Sequence, residues 1–376
     1  MRKLTTICIL VFLLFGFNLV NGQEHAEPET LKIGAKAPDF RLKGVDDKVY
    51  TLDSFNKADI LVIIFSAPHC PTAQAYEERI IALQNDYEEK GVQVVKIMPN
   101  YPMAVCLEEL GYSDLGDTFE EMKIRADHLK YNFPFLYDGD DQAVAIAYGP
   151  VTTPHVFVFD KARILRYQGR IDDREKPGTA TQHDTRNAIE ALIAGREVPV
   201  KETRVFGCSI KWKWKTEYRQ RLDREWAGKE VALQDINLDG VRELMKNASG
   251  KLLVLNLWAT WCGPCIAEFS DLVETFRMYQ GRDFAMVTIN IDRMANRERV
   301  HAMLKSRQVA ITGNYIFGDE QRYELIEAID PEWKGNLPHT VIVEPGGNIV
   351  HRFSGGLRVL DFRRKIVEHP MIGRYY

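Results

Sequence analysis

The sequence predicts an α/β protein in which one fold occurs twice along the chain. Three observations carry this expectation. Two short apolar runs, Leu61-Val-Ile-Ile-Phe65 and Leu253-Val-Leu-Asn-Leu257, are each followed by a turn and then a helical pattern that opens at a cysteine, Cys70 and Cys262. Apolar runs of this length, bounded by turn signals, read as buried strands. Each copy then reaches a Pro-His pair that leads a strand hairpin, Thr153-Pro-His155 and Leu337-Pro-His339, and the cysteine-to-proline spacings are similar, 84 and 76 residues. Matching landmarks in the same order point to an internal repeat. With 376 residues the chain has room for two or three domains with cores of their own.

A formal charge of −4 supplies no basic field, so no nucleic-acid partner is expected. Residues 1–22 read as a signal peptide: Arg2 and Lys3 form a charged start, Leu4 to Val20 is mainly apolar, and Val20-Asn-Gly22 suits cleavage. The uninterrupted apolar core, Ile7 to Phe15, is too short for a comfortable membrane span. Left uncleaved, the segment would be the chain's one membrane tether. Cleavage takes the charge from −4 to −6 and leaves five of the six cysteines, Cys70, Cys106, Cys208, Cys262 and Cys265; Cys8 goes with the signal. The expected location is secreted, periplasmic or otherwise extracytoplasmic, where disulfides persist. The expected boundaries are a first domain over 31–200, a charged linker over 201–230 and a second domain over 231–376.

In order, the first copy is expected to contain a strand at 61–65, a helix from Thr72 to about Lys90, a strand at 92–98 and an irregular insertion from Asn100 to Thr118 that holds Cys106. A helix at 119–129 follows. Then come a hairpin formed by 153–160 and 164–170, and a helix over 184–194 stopped by Gly195. The second copy is expected to hold a short helix at 241–247, a buried strand in the apolar run that starts at Leu252, a turn at Thr260-Trp261 and a helix from Cys262 to about Gln280. A strand at 284–291, a helix at 293–306 with Met294, Val300, Met303 and Leu304 inward, and a helix at 323–329 come next. A hairpin of 337–344 with 348–354 and a closing helix at 358–368 complete it.

The chemistry concentrates in Trp261-Cys-Gly-Pro-Cys265. Cys262 falls at a helix N-terminus, where unpaired N–H groups and the dipole favour thiolate. Cys265 lies one turn on, close enough to close a disulfide and release a bound partner. Pro264 fits the first turn. No second Cys-x-x-Cys follows and the nearest downstream histidine, His301, is distant, so no metal is expected. Glu268 shares a helix face with Cys265; a partly buried carboxylate there would have a raised pKa and exchange protons with that thiol. Trp258 is expected in the core and Trp261 on the exposed rim.

This stretch, Leu257-Trp-Ala-Thr-Trp-Cys-Gly-Pro-Cys265 with Asn256 and Glu268, resembles the active site of the thioredoxin superfamily, and most resembles its extracytoplasmic TlpA/ResA branch. The resemblance implies two tandem thioredoxin-like domains, each a central mixed sheet flanked by helices. It implies that Pro338 is cis and faces the dithiol, leaving the Leu337 backbone free to pair with an extended substrate segment. It also favours Glu268 as the proton-exchanging group, because Asn256 stands where many thioredoxins bury an aspartate. His339 is expected to pack or to make a local hydrogen bond.

The first copy, from Leu31 to Trp214, resembles the peroxiredoxin-like AhpC/TSA (redoxin) family in Ala37-Pro-Asp-Phe40, His69-Cys-Pro-Thr-Ala73, Thr153-Pro154, Gly169-Arg-Ile-Asp-Asp173 and Gly207-Cys-Ser-Ile-Lys-Trp212. It departs from the peroxidase pattern, which places a hydroxyl three residues before the cysteine: Ala67 stands there and Ser66 is one step off. Ala73 takes the second-cysteine position. Cys70 remains a possible redox site with Pro154, and His69 and the helix start would favour its thiolate. Gly207 permits a bend and the tail is aromatic, so Cys70 and Cys208 are expected to lie near each other and to be able to form a disulfide, with Cys106 free and buried. The competing outcome is that Cys208 only anchors the linker.

The function expected is that of an extracytoplasmic thiol–disulfide oxidoreductase using Cys262 and Cys265. It needs no cofactor. Its partners are protein thiols and disulfides together with an upstream electron donor. Two alternatives stand beside it: a peroxidase at Cys70 served by the second-domain dithiol, and a non-enzymatic first domain that docks clients.

Overall fold

The computed structural model describes residues 26–318 and 321–374. The signal segment and Cys8 lie outside the described residues. The first unit carries β1 (Arg41–Gly44), β2 (Val49–Thr51), β3 (Ile60–Phe65), α1 (Pro71–Tyr87), β4 (Val92–Met98), α2 (Phe119–Leu129), β5 (Phe135–Tyr137), α3 (Ala143–Tyr148), β6 (Thr152–Thr153), β7 (His155–Phe159), β8 (Leu165–Gly169) and α4 (Asp184–Ile193). Its sheet runs β2-β1-β5-β4-β3-β7-β8. β3 is parallel to β4 and antiparallel to β7. Both faces are covered, which is why β3 reads as an unbroken apolar run. Alternate side chains divide between the faces: Ile60, Val62 and Ile64 pack on one, Leu61, Ile63 and Phe65 on the other.

β9 (Cys208–Ser209) and α5 (Thr216–Ala227) connect to the second unit. That unit holds β10 (Gln234–Asp235), α6 (Leu238–Met245), β11 (Leu252–Trp258), α7 (Gly263–Ala267), α8 (Phe269–Tyr279), β12 (Phe284–Asn290), α9 (Arg297–Ser306), β13 (Gly313–Ile316), α10 (Arg322–Ile329), β14 (His339–Val343), β15 (Ile349–Ser354) and α11 (Val359–Val367). Its sheet order is β10-β13-β12-β11-β14-β15. β11 is parallel to β12 and antiparallel to β14, so the central strand has the same neighbours and directions as β3. Two mixed sheets flanked by helices are the α/β architecture that the resemblance implied.

Several expectations are corrected. The helix expected to run unbroken from the Cys262 turn to Gln280 is two helices that meet at Glu268, whose backbone serves as the C-cap of α7 and the N-cap of α8. Thr153 leaves the expected hairpin and, together with Thr152, pairs instead with Cys208 and Ser209. Met294 is exposed on a short 3-10 turn, while Val300 and Leu304 are fully buried. The charged linker is structured: α5 is a twelve-residue helix with Trp226 as its one buried side chain, supported by Arg219–Asp223 and Arg221–Glu225 pairs at i,i+4 spacing. Trp212 is buried in the first core and Trp226 in the second, so the connection is anchored at both ends.

The insertion between β4 and α2 also reaches the second unit. Val105, Leu107 and Leu110 join its hydrophobic core. The Tyr279 hydroxyl donates to the Ser113 carbonyl at 2.7 Å. The side chain of Asp114, wholly buried, accepts from Arg364 at 3.1 Å and Arg374 at 2.7 Å. Burial raises the Asp114 pKa, but Arg374 outweighs it and holds the carboxyl below the usual carboxylate range. This stabilisation is therefore present at neutral pH and lost as pH falls through the depressed value. Asp114→Asn should cost about 2–3 kcal/mol at pH 7, because it leaves two arginines facing a neutral amide, and the deficit should shrink on acidification. Denaturant unfolding at the two pH values reads it; a deficit independent of pH would count against the ion pairs as its cause.

Candidate active site

β11 ends at Trp258, and the turn to α7 is fixed by a neighbour the sequence does not advertise. Asp292, just past the end of the parallel strand β12, accepts from the Thr260 N–H and hydroxyl, both at 2.8 Å, and from the Asn290 amide at 2.9 Å. Cys262 is the N-cap of α7; its Sγ accepts from the Cys265 N–H at 3.3 Å. Cys262 and Cys265 form a disulfide with Cα atoms 5.3 Å apart. Cys262 is 6% exposed against 1% for Cys265, and the neighbouring Trp261 is 65% exposed, so the approach from solvent is on the Cys262 side. Trp258 is fully buried and meets Phe269 edge to face.

Leu337–Pro338 is cis, as is Thr153–Pro154. Pairing of Leu257 with His339, and of Phe65 with His155, puts each proline at the strand end where its copy's cysteine turn begins. Leu337 is partly buried and precedes β14. His339 is buried, stacked on Trp333, and bonded to Ser354 at 2.9 Å and Asp330 at 3.2 Å; burial outweighs Asp330 and lowers its pKa. It is a packed, locally bonded residue.

Glu268 is 5% exposed. Its carboxylate accepts from the Asn256 amide at 2.9 Å and the Leu357 N–H at 3.2 Å. Burial pushes its pKa up to about 7, against the lowering influence of those two donors. Asn256 also donates to Thr340 at 2.9 Å, while its own Oδ1 has no partner among the described residues. A carboxyl that changes charge near neutrality thus lies under α7, three residues from Cys265.

The first unit builds a different cysteine site. Cys70 is wholly buried at the N-cap of α1, its Sγ accepting from the Ala73 N–H at 3.4 Å and its S–H donating to the Thr153 carbonyl at 3.1 Å. Cys208 packs against it. Pairing of Cys208 with Thr153 brings the tail back over the site, and Gly207 makes this approach possible: at φ +142°, any Cβ would lie 2.1 Å from the Thr153 carbonyl oxygen. Pro154 follows directly. The His69 ring is held by Asp117, Nδ1 to Oδ2 at 2.6 Å, and Asp117 also accepts from the His69 N–H at 3.0 Å and Asn100 at 2.7 Å. Asp117 and Asn100 lie in the irregular insertion and had no sequence signal. Cys70 and Cys208 are both unbridged in this structure, as is the buried Cys106, whose thiol burial pushes up to about 12.

The pattern of the AhpC/TSA family matches residues 33–168 and 227–352, one stretch in each unit. The thiol-disulfide oxidoreductase ResA of Bacillus subtilis is 28% identical over 123 residues, 33% of this chain, and the chain spans 63% of that relative's length. The thioredoxin-like protein YneN of the same organism is 29% identical over 87 residues, covering 21% of this chain and 51% of YneN. An uncharacterised conserved protein of Geobacillus kaustophilus, known as a crystal structure, is 36% identical; the match covers 50% of this chain and 96% of that one with a TM-score of 0.43.

Proposed function

Because the chain belongs to the AhpC/TSA family, we propose that it is an extracytoplasmic thiol–disulfide oxidoreductase that reduces or exchanges protein disulfides through Cys262 and Cys265. The observation that carries this reading is the pairing of a helix-capping Cys262 beside exposed Trp261 with a buried Cys265 above Glu268. In the reduced protein the Cys262 thiolate attacks a client disulfide, forming a mixed disulfide and expelling one client thiolate. Glu268, ionised above about pH 7, takes the Cys265 proton. The Cys265 thiolate then attacks Cys262 Sγ, the second client sulfur leaves, and two electrons have passed to the client. Trp261 and the backbone at Leu337, beside Pro338, form the surface on which an extended client segment lies. An upstream dithiol donor restores the reduced state, and no diffusible cofactor takes part. The ResA likeness and the signal-like start support the extracytoplasmic location.

Cys265→Ser tests the assignment. It should accumulate mixed disulfides with client proteins at Cys262, and these should vanish in the double variant Cys262→Ser/Cys265→Ser. Adducts that persist in the double variant would assign capture to another cysteine. The peroxidase reading of Cys70 predicts peroxide consumption by that same double variant when a small-molecule thiol is supplied.

A further inference from the structure

The second cysteine site has parts that the reaction at Cys262 does not use. Cys70 and Cys208 are in contact, one wholly buried and the other half-buried. Beside them stands a His69–Asp117 pair with the short 2.6 Å separation of a charge-assisted bond. Asp117 is fixed in turn by Asn100, whose Oδ1 accepts from the Lys211 N–H at 2.9 Å, on the same tail that carries Cys208. The Thr153 hydroxyl, buried and without a partner among the described residues, faces the same sulfur. A buried polar cluster that is this fully cross-braced, with one hydroxyl left over, is arranged for a charge that the thiol form of Cys70 does not carry.

We propose that Cys70 and Cys208 are a second, reversible dithiol–disulfide centre, in which Cys208 is the sulfur that exchanges with partners and Cys70 is the internal leaving and attacking thiolate, positioned by His69 and Asp117. The accessibilities set the order of events. An outside donor of the Cys-x-x-Cys dithiol class reaches only Cys208. Its thiolate attacks Cys208 Sγ, the bond to Cys70 breaks, and the electron pair stays on Cys70. The donor's second thiolate then cleaves the mixed disulfide, closes the donor's own disulfide and releases Cys208. Of the donor's two thiol protons, one ends on Cys208 and the other goes to solvent. Two electrons have moved to the Cys70–Cys208 pair; an external disulfide reverses the sequence.

The electrostatics agree with these roles. Burial raises the Cys70 pKa, but the Cys208 hydrogen bond, the His69 charge and the Thr153 hydroxyl overcome it and bring the thiol to about 6. Cys208 is shifted upward by the same pair, so its sulfur keeps the proton. His69 is raised by Asp117 despite its burial. A low-pKa thiolate is the better leaving group in exchange.

The test uses the full chain with Cys262→Ser and Cys265→Ser, so that the first centre is silent and its failure is separable from failure here. Equilibration in glutathione redox buffers, acid quenching and peptide mapping should show Cys70 linked to Cys208 under oxidising conditions and both free under reducing ones, with Cys106 unlinked throughout. In the same background, Cys70→Ser should be glutathionylated at Cys208 at least about tenfold faster than Cys208→Ser is at Cys70. Thiolate absorbance should titrate with a midpoint near 6. The titratable and charged groups around Cys70 are Cys208, His69 with Asp117, and Lys96, while Lys211 acts on His69 and Cys208. Asp117→Asn should move that midpoint upward, because a neutral amide no longer holds His69 protonated; a structural role alone would leave it in place. Cys70 and Cys208 both free at every potential, or faster modification at Cys70, would overturn the proposal.

Discussion

Cys262→Ser should lower protein-disulfide reduction on the order of a thousandfold or more while leaving the fold unchanged. The loss is large because the other thiols are poor substitutes: Cys265 is 1% exposed and lies behind Cys262, Cys106 is buried with its thiol held protonated, and Cys208 is half-buried with its pKa raised by Cys70. The fold survives because serine is itself a favoured N-cap and its hydroxyl can accept the Cys265 N–H that Cys262 now accepts. The bridge that disappears closes a loop with a sequence separation of only 3, so its loss costs about 2 kcal/mol at most, and nothing relative to the reduced wild type. Insulin reduction followed by turbidity, with circular dichroism and unfolding midpoints alongside, reads both halves. Cys70→Ser is the control: it should retain insulin reduction at near wild-type rate. Comparable losses in the two variants would mean that the second unit does not act on clients by itself.

Which parts could be read from the sequence follows from how local their cause is. β3 and β11 are legible because covering a sheet on both faces demands an unbroken apolar run, and the two Pro-His hairpins because the turn residues between their strands are local. The repeat emerges from spacing alone, and the matching strand neighbours of β3 and β11 agree with it. β1 and β2, a small hairpin, are too short for a local period to mark them, and the short β10 and β13 take their pairing from distant stretches of chain. α5 was hidden by its charge: with Trp226 as its one buried anchor it shows no apolar stripe. At the sites, cysteines, prolines and Glu268 announce themselves through motif and spacing. Asp292 and Asp117 do not, since each acts across space on a turn formed elsewhere in the chain. Asp292 lies where a polar group is useful in any parallel sheet, past the carboxyl end of the strand beside the active strand. Asp117 lies 47 residues after Cys70 in a segment without regular structure.

Glu268→Gln should slow the resolving step roughly a hundredfold and yet stabilise the protein in alkali. The kinetic half follows if the carboxylate is the group that takes the Cys265 proton: wild-type exchange should rise with pH around 7, and the variant should lack that inflection. The stability half follows from the sign of the shift. The folded pKa of about 7 lies above the model-compound value of 4.5, so between these pH values the folded state binds more protons than the unfolded one and stability falls as pH rises. Above about 7 the deficit is complete, on the order of 3 kcal/mol. Glutamine carries no such deficit and also has the hydrogen bonds it needs. Its carbonyl can accept the Leu357 N–H, and its amide can donate to the Asn256 Oδ1 that now lacks a partner, once the Asn256 amide rotates. The two proteins should therefore be nearly equally stable near pH 4 and diverge by about 1–3 kcal/mol by pH 8, with the slower enzyme the more stable. Parallel denaturation curves across pH, or an unaltered inflection in the exchange rate, would leave Glu268 as a hydrogen-bonding brace between Asn256 and Leu357 and remove it from the proton path.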